Sequence, residues 1–218
     1  MSEATVIECD DLDATIEHYK NDLGYRLDMI FPADSPREAL LSEPPPLGGG
    51  VQLTGETPSI EPGVVRLVST KPPVNAGGSD FVNGRGGMEY RDLIPGRVGG
   101  RVIASHIRLL EDGPVADYVH YHKVEFQMIY CLKGRIQVVY EDQGPPFWLE
   151  SGDCVVQPPE IRHRVLFSEG QAEVLEVTMP AEHETWVEHE ITLPNANINK
   201  DRVFNGQKFS HQRSPDAS

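Results

Sequence analysis

A mostly β chain is predicted, with an all-β barrel or sandwich following a small α/β module, and three observations predict it. From Met88 onward, eight short strand-type runs follow one another: GRVIASHIRL, ADYVHYH, EFQMIYCL, RIQVVYE, PFWLE, DCVVQ, HRVLF and AEVLEVTM. The turn segments EDGP, LKG, EDQGPP, SGD, PPE and SEGQ separate them without helical spacing, as in a β-sandwich or barrel. The N-terminal stretch reads differently, as a strand, a helix and further strands. The length of 218 residues agrees, being long for one average domain and short for two.

In chain order, TVIEC at residues 5–9 reads as a short strand. DDLDATIEHYKNDLG then reads as a helix. Asp10 or Asp11 is the cap, Leu12, Ile16, Tyr19 and Leu23 recur at helical spacing, and Gly24 stands at the C-terminal stop. YRLDMIFP, REALLSE and GGGVQLTGE supply three further strands, completing a βαβββ module over residues 1–60. Residues 61–84 are rich in Pro, Gly, Ser and Asn and read as a linker, interrupted by one edge strand, VVRLV. The all-β domain spans 85–193. Residues 194–218 are polar, without a periodic core, and are expected to pack loosely.

Composition excludes several function classes. The chain carries 19 basic and 34 acidic residues, a formal charge of −15. Residues 1–78 hold 5 basic and 13 acidic groups and residues 79–218 hold 14 and 21, so no basic lobe is concealed. A nucleic-acid partner is therefore not expected, and neither is an anionic membrane surface. No apolar run reaches the ~20 residues of a bilayer span. The start, MSEATVIECDDLD, is acidic where a secretion signal would be basic. Cys9, Cys131 and Cys154 are odd in number and widely spaced, which points to a reduced, cytoplasmic protein.

The chemistry concentrates in the second half. His120-Tyr121-His122 lies in a strand, so side-chain alternation puts both imidazoles on one face. Gln127 opens the next strand, and His163 follows the turn pair Gly152 and Pro158. Three histidines and one amide on strands facing a common interior form a metal site on residue type alone.

The pattern Gly113…His120-x-His122-x4-Gln127-x6-Gly134, then Gly152-x5-Pro158-x4-His163, resembles the two motifs of the cupin superfamily. It departs from them in four places. Six residues, not five, separate Gly113 from His120; Gln127 stands in place of Glu, Glu160 in place of Gly, and Phe167 in place of Asn. The resemblance implies a cupin jelly-roll β-barrel holding a divalent metal on His120, His122, His163 and Gln127. Zn²⁺ is favoured over Fe²⁺, Mn²⁺, Ni²⁺ or Co²⁺, because the neutral amide leaves a more Lewis-acidic centre than a 2-His-1-carboxylate iron site.

The strands GGRVIASHIRLLEDGPVADYVHYHKVEFQMIYCLKG and VVYEDQGPPFWLESGDCVVQPPEIRHRV further resemble the cupin cyclases of aromatic polyketide pathways, a part of antibiotic biosynthesis. That resemblance implies aldol-type ring closure of a poly-carbonyl, small-molecule substrate. His106, in the strand ahead of the HxH pair, is then the candidate acid/base or an extra ligand. CDDLDATIEHYKNDLGYRLDMIFPADSPREALLS resembles one module of the vicinal-oxygen-chelate (glyoxalase-like) superfamily. Ala4 stands where its histidine ligand would be and Gln52 near its glutamate, so this module implies a dimerisation or lid role. A homodimer is the expected assembly, because such modules work in pairs.

Two alternatives remain open on sequence, a non-haem iron cupin dioxygenase and a non-catalytic cupin binding protein. Other residues receive blander readings. His183 and His189 lie among glutamates in AEHETWVEHE and read as solvated, and Cys131 reads as core filler. Tyr118, Tyr130, Tyr140, Phe147 and Trp148 fit a pocket and an ordinary sandwich core equally well.

Overall fold

The structure, a computed structural model, describes residues 4–43, 63–71, 80–84, 87–195 and 197–215. It divides into two compact units, residues 1–31 with 36–73 and residues 32–35 with 74–218. Among the described residues, no helix is long and apolar enough to cross a membrane.

The first unit contains β1 (Thr5–Cys9), α1 (Leu12–Asn21), β2 (Arg26–Phe31), β3 (Glu38–Ser42) and β4 (Val64–Ser69). The helix begins where Asp11 accepts a hydrogen bond from the Ala14 amide at 3.0 Å, one of the two caps the sequence allows. It ends before Gly24, whose φ of +74° lets the Tyr25 amide turn back onto the Tyr19 carbonyl at 2.9 Å. Leu12, Ile16 and Tyr19 pack on Ala39, Leu41, Val65 and Leu67. The sheet runs β1-β4-β3-β2, with β1 parallel to β4 and the other pairs antiparallel.

Strand β4 corrects the expected linker. It lies between β1 and β3, so it is an inner strand and not an edge, and it completes the βαβββ order. Val65 and Leu67 are buried while Arg66 turns to Glu38 at 2.8 Å, an alternation hidden in sequence by the flanking Pro and Gly. The predicted strand GGGVQLTGE and Gln52 lie outside the described residues.

The second unit contains β5 (Val82–Asn83), β6 (Met88–Asp92), β7 (Ile103–Leu109), β8 (Gly113–Pro114), β9 (His120–His122), β10 (Phe126–Tyr140), β11 (Phe147–Glu150), β12 (Cys154–Gln157), β13 (His163–Met179), β14 (Thr185–Val187) and β15 (Ser210–Gln212). Its spine is the long antiparallel ladder of β10 and β13, running from Phe126 opposite Met179 to Tyr140 opposite His163. Along one end of that ladder β7 flanks β13 and β12 flanks β10; along the other, β8 and β9 flank β13 and β11 flanks β10. This is a jelly-roll. Pairing among the described residues does not run full circle, so the predicted barrel is open.

Two predicted turns are bends within continuous strands. LKG falls inside β10 and SEGQ inside β13, at register shifts between Cys131 and Arg135. Gly134 has φ +65°, and a Cβ there would come within 2.5 Å of the Glu169 carbonyl oxygen. Gly170 faces it closely enough that its own added Cβ would meet the Gly134 Cα at 3.2 Å. The two strands therefore turn the corner together, which a side chain at position 134 would prevent.

The polar tail departs most from expectation. Residues 210–212 add β15 to β12, Phe204 is buried in the main core, and Phe209 packs against that core. Arg202 bonds Glu141 at 2.7 Å and Asp142 at 2.8 Å, anchoring the segment. Two isolated aromatics, one strand pairing and one charged anchor together dock a segment that has no periodicity of its own. Cys131 is fully buried among core residues, as the core-filler reading has it, and burial pushes its thiol up to about 11, where it is unreactive at neutral pH.

Candidate metal centre

Strand β9 places the first two histidines. It pairs with β13 through His120 opposite His163, and with β14 through His122 opposite Thr185. Directly opposed residues share a face, so the ladder itself brings His163 beside His120. The ring centroids are 4.3 Å apart for His120 and His163, 5.0 Å for His120 and His122, and 5.2 Å for His122 and His163. Each residue offers one ring nitrogen, and these three atoms lie within 4.8 Å of one another. All three residues are buried.

Hydrogen bonds set the tautomers. Nδ1 of His120 donates to the Tyr118 carbonyl at 2.8 Å, and Nδ1 of His163 donates to the Ile161 carbonyl at 3.0 Å. A carbonyl can only accept, so Nδ1 carries a proton, and in the neutral ring the lone pair is then on Nε2. Nδ1 of His122 meets the Thr185 hydroxyl at 2.9 Å, consistent with the same tautomer. The buried Asp117 carboxylate lies 3.5 Å from Nδ1 of His120 and also accepts from the Val165 amide at 2.9 Å. Three imidazoles, each steered through its second nitrogen, are the donor set a divalent cation takes.

Gln127 lies on the same cavity wall as the triad, opposite Gln157 and Thr178 in the ladder. Its amide nitrogen donates to Glu176 Oε1, so the amide oxygen is the atom it has to offer a cation. Glu176 is the residue that sequence reasoning missed. It shares the inward face of β13 with Val174 and Thr178, diagonal to Gln127, and supplies a carboxylate next to the position where Gln replaces Glu. The pattern pointed the other way, because in LEVTM the apolar Leu175, Val177 and Met179 share the opposite parity and alternation reads Glu176 as outward.

The cavity holds about 580 Å³ counting its open mouth, and apolar side chains including Ile107, Leu109, Ile129, Val138 and Val174 line it. Of the five aromatic candidates, Tyr140 lines it, while Phe147 packs on the core beside it. The Tyr140 hydroxyl donates to Gln157 Oε1 at 2.5 Å. Complete burial and the nearby Glu176 charge raise its pKa far above the ordinary phenol value.

His106 is not brought to the triad. Ile103, Ser105, Ile107 and Leu109 of β7 line cavities, and alternation turns His106 to the other face. There its Nε2 lies 2.7 Å from Glu173, its Nδ1 lies 3.0 Å from Arg91, and its ring packs edge-on to Phe81. His189 is exposed, in line with its reading as a solvated residue. His183 corrects that reading, for it is 6% exposed and its ring meets His122 edge-on at 5.3 Å. Burial lowers its pKa below the ordinary imidazole value.

Glu160, which replaces the glycine of the second motif, has φ +62°. The backbone there still adopts the left-handed conformation suited to glycine, and the Glu160 amide bonds the His122 carbonyl at 3.1 Å. Glu160→Gly is expected to stabilise the fold by about 0.5–1 kcal/mol, since relief of the left-handed penalty exceeds the added chain entropy. A urea midpoint that falls instead would show that the side chain contributes more than its strain costs.

Residues 107–178 match the cupin domain model. Among solved structures, the chain is similar to KdgF from a Halomonas species, with 20% identity over 46% of this chain and 87% of that one and a TM-score of 0.39. It is similar to an RmlC-like cupin from Shewanella frigidimarina, with 23% identity over 47% and 84% and a TM-score of 0.39. It is also similar to the polyketide cyclase RemF from Streptomyces resistomycificus, with 21% identity over 49% and 73% and a TM-score of 0.39. No curated protein matches the chain.

Proposed function

We propose that the cupin unit is a metal-dependent cyclase promoting aldol-type ring closure of an aromatic polyketide or similar poly-carbonyl substrate. One observation carries this reading: a steered histidine triad opens into a mainly apolar cavity that has a carboxylate, Glu176, on its wall. His120, His122 and His163, with the amide oxygen of Gln127, would hold a divalent cation, Zn²⁺ before Fe²⁺. Such a cation supplies Lewis acidity, drawing electrons from a carbonyl oxygen and making the adjacent CH₂ more acidic.

The chain's own residues do the rest. Glu176 takes the role of base that the sequence assigned to His106, standing on the wall where a substrate carbon would lose its proton. Gln127 orients that carboxylate through its amide nitrogen. Tyr140 stays a neutral phenol, so it positions Gln157 and does not compete for the proton. The apolar wall excludes water and limits how the chain can fold, which decides which carbon meets which carbonyl.

The test is anaerobic incubation of Zn²⁺-loaded protein with a synthetic poly-β-ketone thioester, followed by mass spectrometry. Ring closure without oxygen is expected, and Glu176→Gln should slow it about 10²–10⁴-fold while metal content holds. Product formed only with Fe²⁺ and oxygen would replace the proposal with a dioxygenase. Binding without product would make the unit a ligand-binding module.

A further inference from the structure

Beside the triad lies a second, smaller hollow of about 420 Å³ counting its open mouth, and two buried atoms facing it lack partners. His183 gives its Nδ1 proton to the Pro180 carbonyl at 3.3 Å, which puts the lone pair on Nε2, and Nε2 is buried with no hydrogen-bond partner. Asp34 commits Oδ2 to Arg97, and its Oδ1 is likewise buried and unpartnered. Arg97 also bonds Asp92 at 2.9 Å, so the carboxylate is held in place and its charge already paired. Unsatisfied buried acceptors are rare in native proteins and mark places where something is missing.

We infer that this hollow binds a hydroxyl group of the ligand, a phenol or enol, whose O–H donates to His183 Nε2, beside Asp34 Oδ1. Both unsatisfied atoms are acceptors, so the group that completes them must be a donor. An anion would face two lone pairs and the Glu176 carboxylate on the same wall. A metal ion would find two ligands here where the triad offers three. The hollow and the main cavity share Tyr90, His122 and Glu176 as wall, so a ring lying in the main cavity can reach across with one hydroxyl. The inference deepens the substrate reading above and rests on it for where the body of the molecule lies. An enolised poly-carbonyl and its phenolic product both carry such a hydroxyl.

Calorimetry on the chelator-treated full chain tests it, with 1,3,5-trihydroxybenzene as the probe and 1,3,5-trimethoxybenzene as its donor-free twin. Using the metal-free protein separates this result from any failure of the metal or cyclase reading. The trihydroxy ring should bind at least about tenfold more tightly than the twin, and His183→Phe should erase that preference. On the unsubstituted protein, the ¹⁵N resonance of His183 Nε2 should move as the probe is added, a readout that does not depend on the variant folding. Equal binding of the two rings overturns the inference. So does a preference that survives His183→Phe, an unmoved Nε2 resonance, or absence of binding up to the solubility limit of the probe, which would leave the hollow to water alone.

Discussion

Replacing His120 and His122 together by alanine is expected to take bound divalent metal from about one ion per chain to a level below detection. The reason is the loss of two of three convergent imidazoles, which leaves His163 and an amide oxygen, too few donors to compete with water and buffer. The same variant should lose the response of its melting temperature to chelator, because a ligand that binds only the folded state stabilises it by mass action. Thr185→Val provides a graded control. It removes the hydroxyl that meets Nδ1 of His122 at 2.9 Å and leaves all three imidazoles in place. Its metal affinity should fall by about 10–100-fold, the usual cost of losing a partner that orients a ligand. Elemental analysis of purified protein reads both. Stoichiometric metal in the double alanine variant would mean that the triad is a buried histidine cluster and that the ion lies elsewhere.

How much of this site the sequence disclosed depended on whether side-chain parity could be read. In His120-Tyr121-His122 parity is unambiguous, and two imidazoles two residues apart must share a face. For His163 the turn pair Gly152 and Pro158 set the strand's start, and the ladder did the rest by placing it opposite His120. His106 failed because VIASHIRLL is apolar on both parities, so nothing in the string says which face is inward. Glu176 was missed for a different reason, since the apolar Leu175, Val177 and Met179 on the opposite parity make it read as solvent-facing. His183 was misjudged from its neighbours, since glutamates on either side imply solvent only when the chain does not fold back, and here Thr185 pairs with His122 and carries the segment inward. Local pattern also identified the helix and its cap, whereas β4 and the docked tail depend on partners distant in sequence. The jelly-roll was legible as a class, but the continuity of β10 and β13 through Gly134 and Gly170 was not, since a glycine bend and a glycine turn look alike in sequence.

Gln127→Glu is the substitution whose outcome depends most on whether a cation is present. In the unsubstituted protein the amide nitrogen donates to Glu176 Oε1. The substitution replaces that donor with a second carboxylate, so two like charges would share a hydrogen-bond distance. One of the pair must hold its proton to higher pH than a carboxylate normally does. The sign follows from linkage. A carboxyl whose folded pKa is raised binds more protons in the folded state, so its cost to stability is absent below the unfolded value near ~4 and grows as pH rises through the raised one. In chelator-treated protein the variant should therefore match the parent at about pH 4 and lie about 2–3 kcal/mol below it near pH 7. Adding Zn²⁺ should shrink or reverse that deficit, because a cation between the triad and the new carboxylate neutralises the repulsion, and affinity should rise by tenfold or more. Thermal melts from pH 4 to 8, with and without chelator, separate the two contributions. A deficit indifferent to both pH and metal would place Gln127 outside the cation site and make its bond to Glu176 a structural contact alone. A deficit that tracks both would show that the amide at position 127 sets the charge of the centre, keeping Glu176 as a base and not a ligand.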